Sequence, residues 1–181
     1  MIQTKRLLLR QWQPSDFPLF AELCADSEVM KYFPSTLSRA ESDDFVARIQ
    51  GLIAERGWGL WAVEVPGVSD FIGFVGLHVP KDYLPFSPCV EIGWRLAKSY
   101  WGKGYASEAA KAALNYAFTE LQLDEVLSFT SVTNLPSAAV MKRIGMTNTH
   151  RNFMHPDIEA GHPLCEHVLY RLDRSEWARG D

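Results

Sequence analysis

Trp101-Gly102-Lys103-Gly104-Tyr105-Ala106-Ser107 is the stretch on which the reading of this chain turns. It follows Cys89 to Leu96, which reads as a strand, and it opens the clearest helix, Ala106 to Leu121. Ala106, Ala109, Ala110, Ala113, Leu114, Ala117, Phe118 and Leu121 share one face of that helix, while Glu108, Lys111 and Asn115 point elsewhere. So many alanines let the helix lie close to a sheet. A helix N-terminus leaves about four amides without partners and carries roughly half a positive charge. Gly102 and Gly104 remove side chains that would block an anion, so the turn reads as a phosphate or pyrophosphate cradle. A P-loop would need glycine at Ala97 and Ser or Thr where Gly104 stands. A dinucleotide fingerprint would need Gly or Ala at Ser107 and an acid where the next strand ends, at Thr133-Asn134. A nicotinamide-dependent oxidoreductase is disfavoured on both counts.

Outward from the turn, no repeat and no low-complexity linker divides the sequence, which reads as a single domain over 1–181. Thr4 to Trp12 reads as a first strand, and Pro14-Ser15-Asp16 opens a short helix. Ser38-Arg39-Ala40-Glu41 is a capping box, and Gly57 stops the helix behind it. Leu60 to Val65 and Phe71 to Val79 flank Pro66-Gly67 as a hairpin. Glu125 to Val132 is a strand, Pro136 to Ile144 a short helix, and Met146 to Phe153 and Cys165 to Leu172 are the last strands. The order β-α-α-β-β-β-α-β-α-β-β predicts an α/β chain: a mixed sheet with helices on both faces.

Composition narrows the function. The 181 residues carry a net charge of −4, with no basic cluster to mark nucleic-acid binding. No apolar run approaches the ~20 residues of a membrane span, and the leucines near the N-terminus alternate with Lys5, Arg6 and Arg10 rather than forming a signal peptide. Three scattered cysteines, Cys24, Cys89 and Cys165, suit a reducing cytoplasm. His150, His155, His162 and His167, with Cys165 and Glu166, match no familiar zinc spacing, and no metal is expected.

Three segments, Cys89 to Ser107, Asn134 to Met146 and Thr4-Lys5-Arg6-Leu7-x-Leu9-Arg10, together resemble the GCN5-related N-acetyltransferases (GNAT), with the subgroup of ribosomal-protein N-terminal acetyltransferases RimJ and RimL as the nearest pattern. The family's acetyl-CoA signature, Gln/Arg-x-x-Gly-x-Gly/Ala, falls on Trp101 to Ala106 with Trp in the first place. The resemblance implies a mostly antiparallel sheet of about seven strands. It also implies two parallel strands, Val90 to Leu96 and Val126 to Val132, that splay to admit the pantetheine arm of acetyl-CoA. The implied cofactor contacts are Ile92, Gly93, Trp94, Arg95, Leu96, Trp101, Gly102, Lys103, Gly104, Tyr105, Ala106, Ser107, Asn134, Ser137 and Arg143. Gly93, in mid-strand, suits a bulge or the close approach of a ligand.

Acetylating an amine needs a base, because a primary amine is mostly protonated at neutral pH. Glu91 is the candidate. In an unbulged strand it shares a face with Cys89, Gly93 and Arg95, and family members place a base at the matching position. A structural pair with Arg95 or His78 is the alternative. Many members carry a tyrosine seven residues after Asn134 to protonate the departing thiolate; here Met141 stands there. The Ser137 hydroxyl is the candidate donor, with helix capping as its alternative role. Phe33, Trp61, His78 and Glu91 are the expected acceptor contacts, with Trp94 beside the cleft. The expected activity is acetyl transfer from acetyl-CoA to a primary amine, of a protein N-terminus or of a small molecule, by a monomer or homodimer. A non-catalytic acyl-CoA sensor is the competing class, kept open by Met141.

Overall fold

The computed structural model describes residues 1–179 as an open, twisted sheet of nine strands. The strands run in the order β1-β2-β3-β4-β5-β6-β9-β7, with β8 also on β9. Strands β1 (Ile2–Gln3) and β2 (Leu8–Arg10) are separate. The first strand expected over Thr4 to Trp12 keeps only Leu8–Arg10, and β1 precedes it, because Thr4 folds the chain back: its amide donates to the Leu7 carbonyl at 2.9 Å, and the Leu7 amide donates to its hydroxyl at 2.9 Å.

Helices α1 (Asp16–Ala25) and α2 (Arg39–Arg56) cover one face of β3 (Leu60–Val65) and β4 (Ser69–His78). The capping box of α2 is present in both directions, and Gly57 ends the helix at φ 82°. On the opposite face lies α3 (Tyr105–Thr119), against β4 and β5 (Glu91–Leu96). Ala109, Ala110, Ala113, Leu114 and Ala117 of α3 are fully buried, so the alanine stripe does bring the helix onto the sheet. Then come β6 (Glu125–Ser131), α4 (Leu135–Arg143), β7 (Thr147–Asn148), β8 (Phe153–Met154), β9 (Glu166–Asp173) and the single turn α5 (Arg174–Trp177). The strand expected over Met146 to Phe153 is two short pieces. His150 takes φ 55° between them, with its amide bonded to the Asn148 side chain at 2.8 Å.

A buried ion cluster fixes the start of α1. Arg10 makes two bonds to Asp16, at 2.7 and 3.0 Å, and one to Glu64 at 2.8 Å. No helix among the described residues is long and apolar enough to cross a membrane.

Candidate active site

Strands β5 and β6 run parallel, and their pairing consists of one register pair, Glu91 opposite Leu127. The Leu127 amide donates to the Val90 carbonyl at 2.9 Å, and the Ser128 hydroxyl to the Ile92 carbonyl at 2.9 Å. Beyond that point the strands part. Toward β4 the ladder of β5 is regular from Glu91 to Leu96, so Gly93 forms no bulge, contrary to one of the two sequence expectations. A β-carbon built on Gly93 meets no atom within 4 Å, so the face of β5 is open at that position. Beside it, the parted strands β5 and β6 leave strand edges free, which suits an extended amide chain added as a strand.

At the same end of the sheet, Gly102 and Gly104 take φ 72° and 79°, the left-handed region that glycine adopts without strain. Gly104 is the N-cap of α3 and brings no side chain to its amides. Ser107 is buried just inside, and Arg143 of α4 donates to its hydroxyl at 3.3 Å. A second cation closes the turn from the chain's beginning. Arg6 donates to the Lys103 carbonyl at 3.0 Å and lies 4.7 Å from the Tyr105 ring. Glu108 is already engaged: it accepts from Thr4 at 2.7 Å and from the Arg6 amide and Nε at 2.9 and 2.6 Å. The first amides of α3 have no side-chain cap, and Arg6, Lys103 and Arg143 lie around them, an arrangement suited to an anion. The Thr4-Lys5-Arg6 stretch carried the family pattern, but sequence spacing alone did not tie it to Glu108.

The Glu91 carboxyl makes no hydrogen bond or ion pair among the described residues, so neither structural pair considered for it exists. Burial raises its pKa to about 8. His78 stands opposite Glu91 in the β4–β5 register, and burial lowers its pKa, with Arg48 and Arg56 adding to the effect.

Other expected contacts are placed differently. Ile92 and Leu96 are buried in the core, so they offer a cofactor only their backbone. Trp61 is 2% exposed and packs edge-on to Tyr116 at 5.4 Å; it lines no cleft. Trp94 is half-buried against the same core, while Trp101, 46% exposed, donates its indole N–H to the Leu96 carbonyl at 2.8 Å. Asn134, expected to hold CoA amides, caps α4, accepting from the Ser137 amide at 3.2 Å and donating to Thr130 at 2.9 Å. This frees Ser137 from capping: its hydroxyl has no partner among the described residues. Met141 is 1% exposed and belongs to the core. Phe33 is 40% exposed and stacks on Arg95, 4.3 Å away. His155 and His167 lie 4.9 Å apart beside Phe129 and Phe153, and burial lowers the pKa of both.

A sheet parted between two parallel strands, beside a glycine cradle at a helix N-terminus, defines an acyltransferase of the GNAT fold. Residues 6–147 match the family described as the acetyltransferase (GNAT) domain, and the chain belongs to that family. It is 34% identical over 179 residues to a Bacillus subtilis (strain 168) protein described as the uncharacterized N-acetyltransferase YnaD, covering 97% of this chain and 98% of that one. The crystal structure of a GNAT-family acetyltransferase from Bacillus anthracis superposes with a TM-score of 0.80 at 30% identity, over 96% of this chain and 98% of the other. A spermidine N-acetyltransferase from Vibrio cholerae, solved with CoA and spermine, shares the fold with a TM-score of 0.75 at 19% identity, over 97% and 99% of the two chains. The protein is thus an N-acetyltransferase.

The cradle gives a direct test. Gly104→Asp adds a carboxylate at the cradle and a β-carbon at φ 79°, 3.4 Å from the Arg6 guanidinium. CoA affinity is expected to fall by more than tenfold, or about 1.4 kcal/mol. Unchanged affinity by calorimetry in a folded variant would remove the cradle from cofactor binding.

Proposed function

We propose that this chain transfers the acetyl group of acetyl-CoA to a primary amine, with Glu91 as the base and Ser137 as hydrogen-bond donor to the departing sulfur. The observation that carries this reading is the lone Glu91 carboxyl, held near pKa 8 beside the gap between β5 and β6. A base is most effective when its pKa lies near the working pH. Acetyl-CoA supplies the thioester. Glu91 takes a proton from the acceptor ammonium, directly or through water, so that the amine lone pair can attack the thioester carbonyl. The C–N bond forms, the C–S bond breaks, the nitrogen gives up its second proton to water, and the sulfur leaves as thiolate beside the Ser137 hydroxyl, to be protonated from solvent. A thiol pKa near 8.5 makes that thiolate a fair leaving group, so a hydrogen bond suffices to help it. Gly102 to Ser107, with Arg6, Lys103 and Arg143, would hold the phosphate end.

The subgroup resemblance supports a protein N-terminal amine, such as that of a ribosomal protein, as acceptor. Family membership by itself fits a small-molecule amine equally. The test is release of free CoA thiol by the purified protein across a panel of amines, with mass spectrometry of a lysate incubated with labelled acetyl-CoA. Thiol release only by slow hydrolysis, with no acetylated amine, would overturn the reading.

Ser137→Ala separates chemistry from structure. Because Asn134 already caps α4, the substitution should leave the melting temperature unchanged. It should lower kcat by roughly 10- to 100-fold with little change in KM for acetyl-CoA. Full turnover would leave water as the proton source.

A further inference from the structure

Glu91, Gly93 and Arg95 stand in a row along one face of β5, with the bare position in the middle. One end of the row is the unpartnered carboxyl. The other is a cation without a counter-ion. Arg95 makes no ion pair among the described residues. It donates to Cys24 Sγ at 3.2 Å, and its buried Nε has no hydrogen-bond partner. Burial keeps the Cys24 thiol protonated by raising its pKa, against the opposing pull of Arg95, so sulfur supplies no full negative charge. The guanidinium instead lies 4.3 to 5.8 Å from the rings of Phe20, Phe33, Phe45 and Phe74. Ring faces offset part of the cost of burying a cation, but they leave its N–H donors unspent.

The buried Arg10 shows what this fold does when the role is structural: it is matched by Asp16 and Glu64. Arg95 has no such match, and it is covered on the solvent side by Phe33, which is itself exposed.

We propose that Arg95 binds a carboxylate carried by the amine acceptor, so that the acceptor lies over Gly93 with its amine toward Glu91 and its carboxylate toward Arg95. This rests on the acetyl-transfer reading given above and narrows its substrate class. Four strand residues span roughly 13 Å between the two α-carbons, and both side chains are long enough to lean inward over the glycine. The planar guanidinium fork suits a carboxylate, and the aromatic walls exclude water that would weaken the contact. The same cation repels a polyamine. The carboxylate could be that of a free amino acid or that of an acidic residue in a peptide.

The test pairs each acid with its amide. Free amino acids and their carboxamides form one arm. Short peptides with a free N-terminus, bearing an acidic side chain or the corresponding amide near it, form the other. Each is offered to the wild type, Arg95→Met and Arg95→Lys, with CoA-thiol release and the ligand-induced shift in melting temperature as the two readouts. The wild type is expected to prefer the acid over its amide by more than tenfold in kcat/KM, chiefly through KM, in the arm that contains the true acceptor. Arg95→Met should bring that ratio close to one without a lower melting temperature, and Arg95→Lys should keep part of it. Equal use of acid and amide by the wild type, or an acid preference that survives Arg95→Met, would overturn the proposal. If no amine is acetylated although CoA binds, the acetyl-transfer reading fails, and the melting shifts decide this one separately. A shift specific to acids that is lost in Arg95→Met upholds it; equal shifts with acid and amide refute it. Should Arg95→Met not fold, Arg95→Lys decides, by a drop of at least threefold in the preference.

Discussion

Glu91→Gln is expected to lower kcat/KM by roughly 10²-fold or more while leaving CoA affinity near that of the wild type. Glutamine keeps the shape of the side chain but cannot take a proton. In the wild type, activity should climb with pH as the carboxyl ionises around its pKa of about 8, and the Gln variant should lack that step. Its deficit should shrink at still higher pH, where the free amine becomes abundant. Stability should move oppositely. Burial raises the folded-state pKa above the ordinary carboxyl value, so the neutral group is well tolerated in acid and its contribution is lost as pH rises through about 8. The Gln variant should therefore match the wild type at about pH 4 and exceed it by about 1 kcal/mol or more at about pH 9. Melting curves and initial rates on one preparation check both parts. A variant with full activity at neutral pH would return Glu91 to a structural role.

The largest effect on stability is expected at Asp16. Its carboxylate faces Arg10 with two bonds and accepts from the Gln13 amide at 2.8 Å, all out of water. Asp16→Ala leaves a buried guanidinium with the half-buried Glu64 as its remaining counter-ion and should cost about 3–5 kcal/mol. For a chain of this size that lowers the melting temperature by about 10 °C or more. Urea denaturation measures it; a loss under about 1 kcal/mol would mean that Glu64 and the carbonyls of Gln11 and Asp70 satisfy Arg10.

What the sequence made legible were features encoded locally. The capping box at Ser38 and Glu41, the Pro66-Gly67 hairpin and the alanine stripe of α3 each rest on residues a few positions apart, and each stands in the structure. The two split strands were missed for a local reason of another kind. A threonine hydroxyl at Thr4 and an asparagine side chain at Asn148 bond the backbone and turn it, inside stretches whose apolar pattern otherwise runs on. The site was legible in its backbone and less so in its side chains. Gly102, Gly104 and Glu91 could be singled out because their residue types are informative where they stand. The fate of Trp61 and the aromatic surroundings of Arg95 depend on α1, α2 and α3 arriving from far along the chain, which no spacing rule conveys, whereas the capping role of Asn134 is local, set by Ser137 three residues on and Thr130 four residues back.

The single register pair between β5 and β6 also divides the molecule as a mechanical object. Five strands lie on one side of that seam and four on the other, and each group carries its own continuous ladder. Two free edges thus face each other inside one sheet. On the outside of a protein such edges are templates for unwanted association. Here each is turned toward the other rather than outward. An amide chain added there as a strand would bridge the two edges and tie two plates into one.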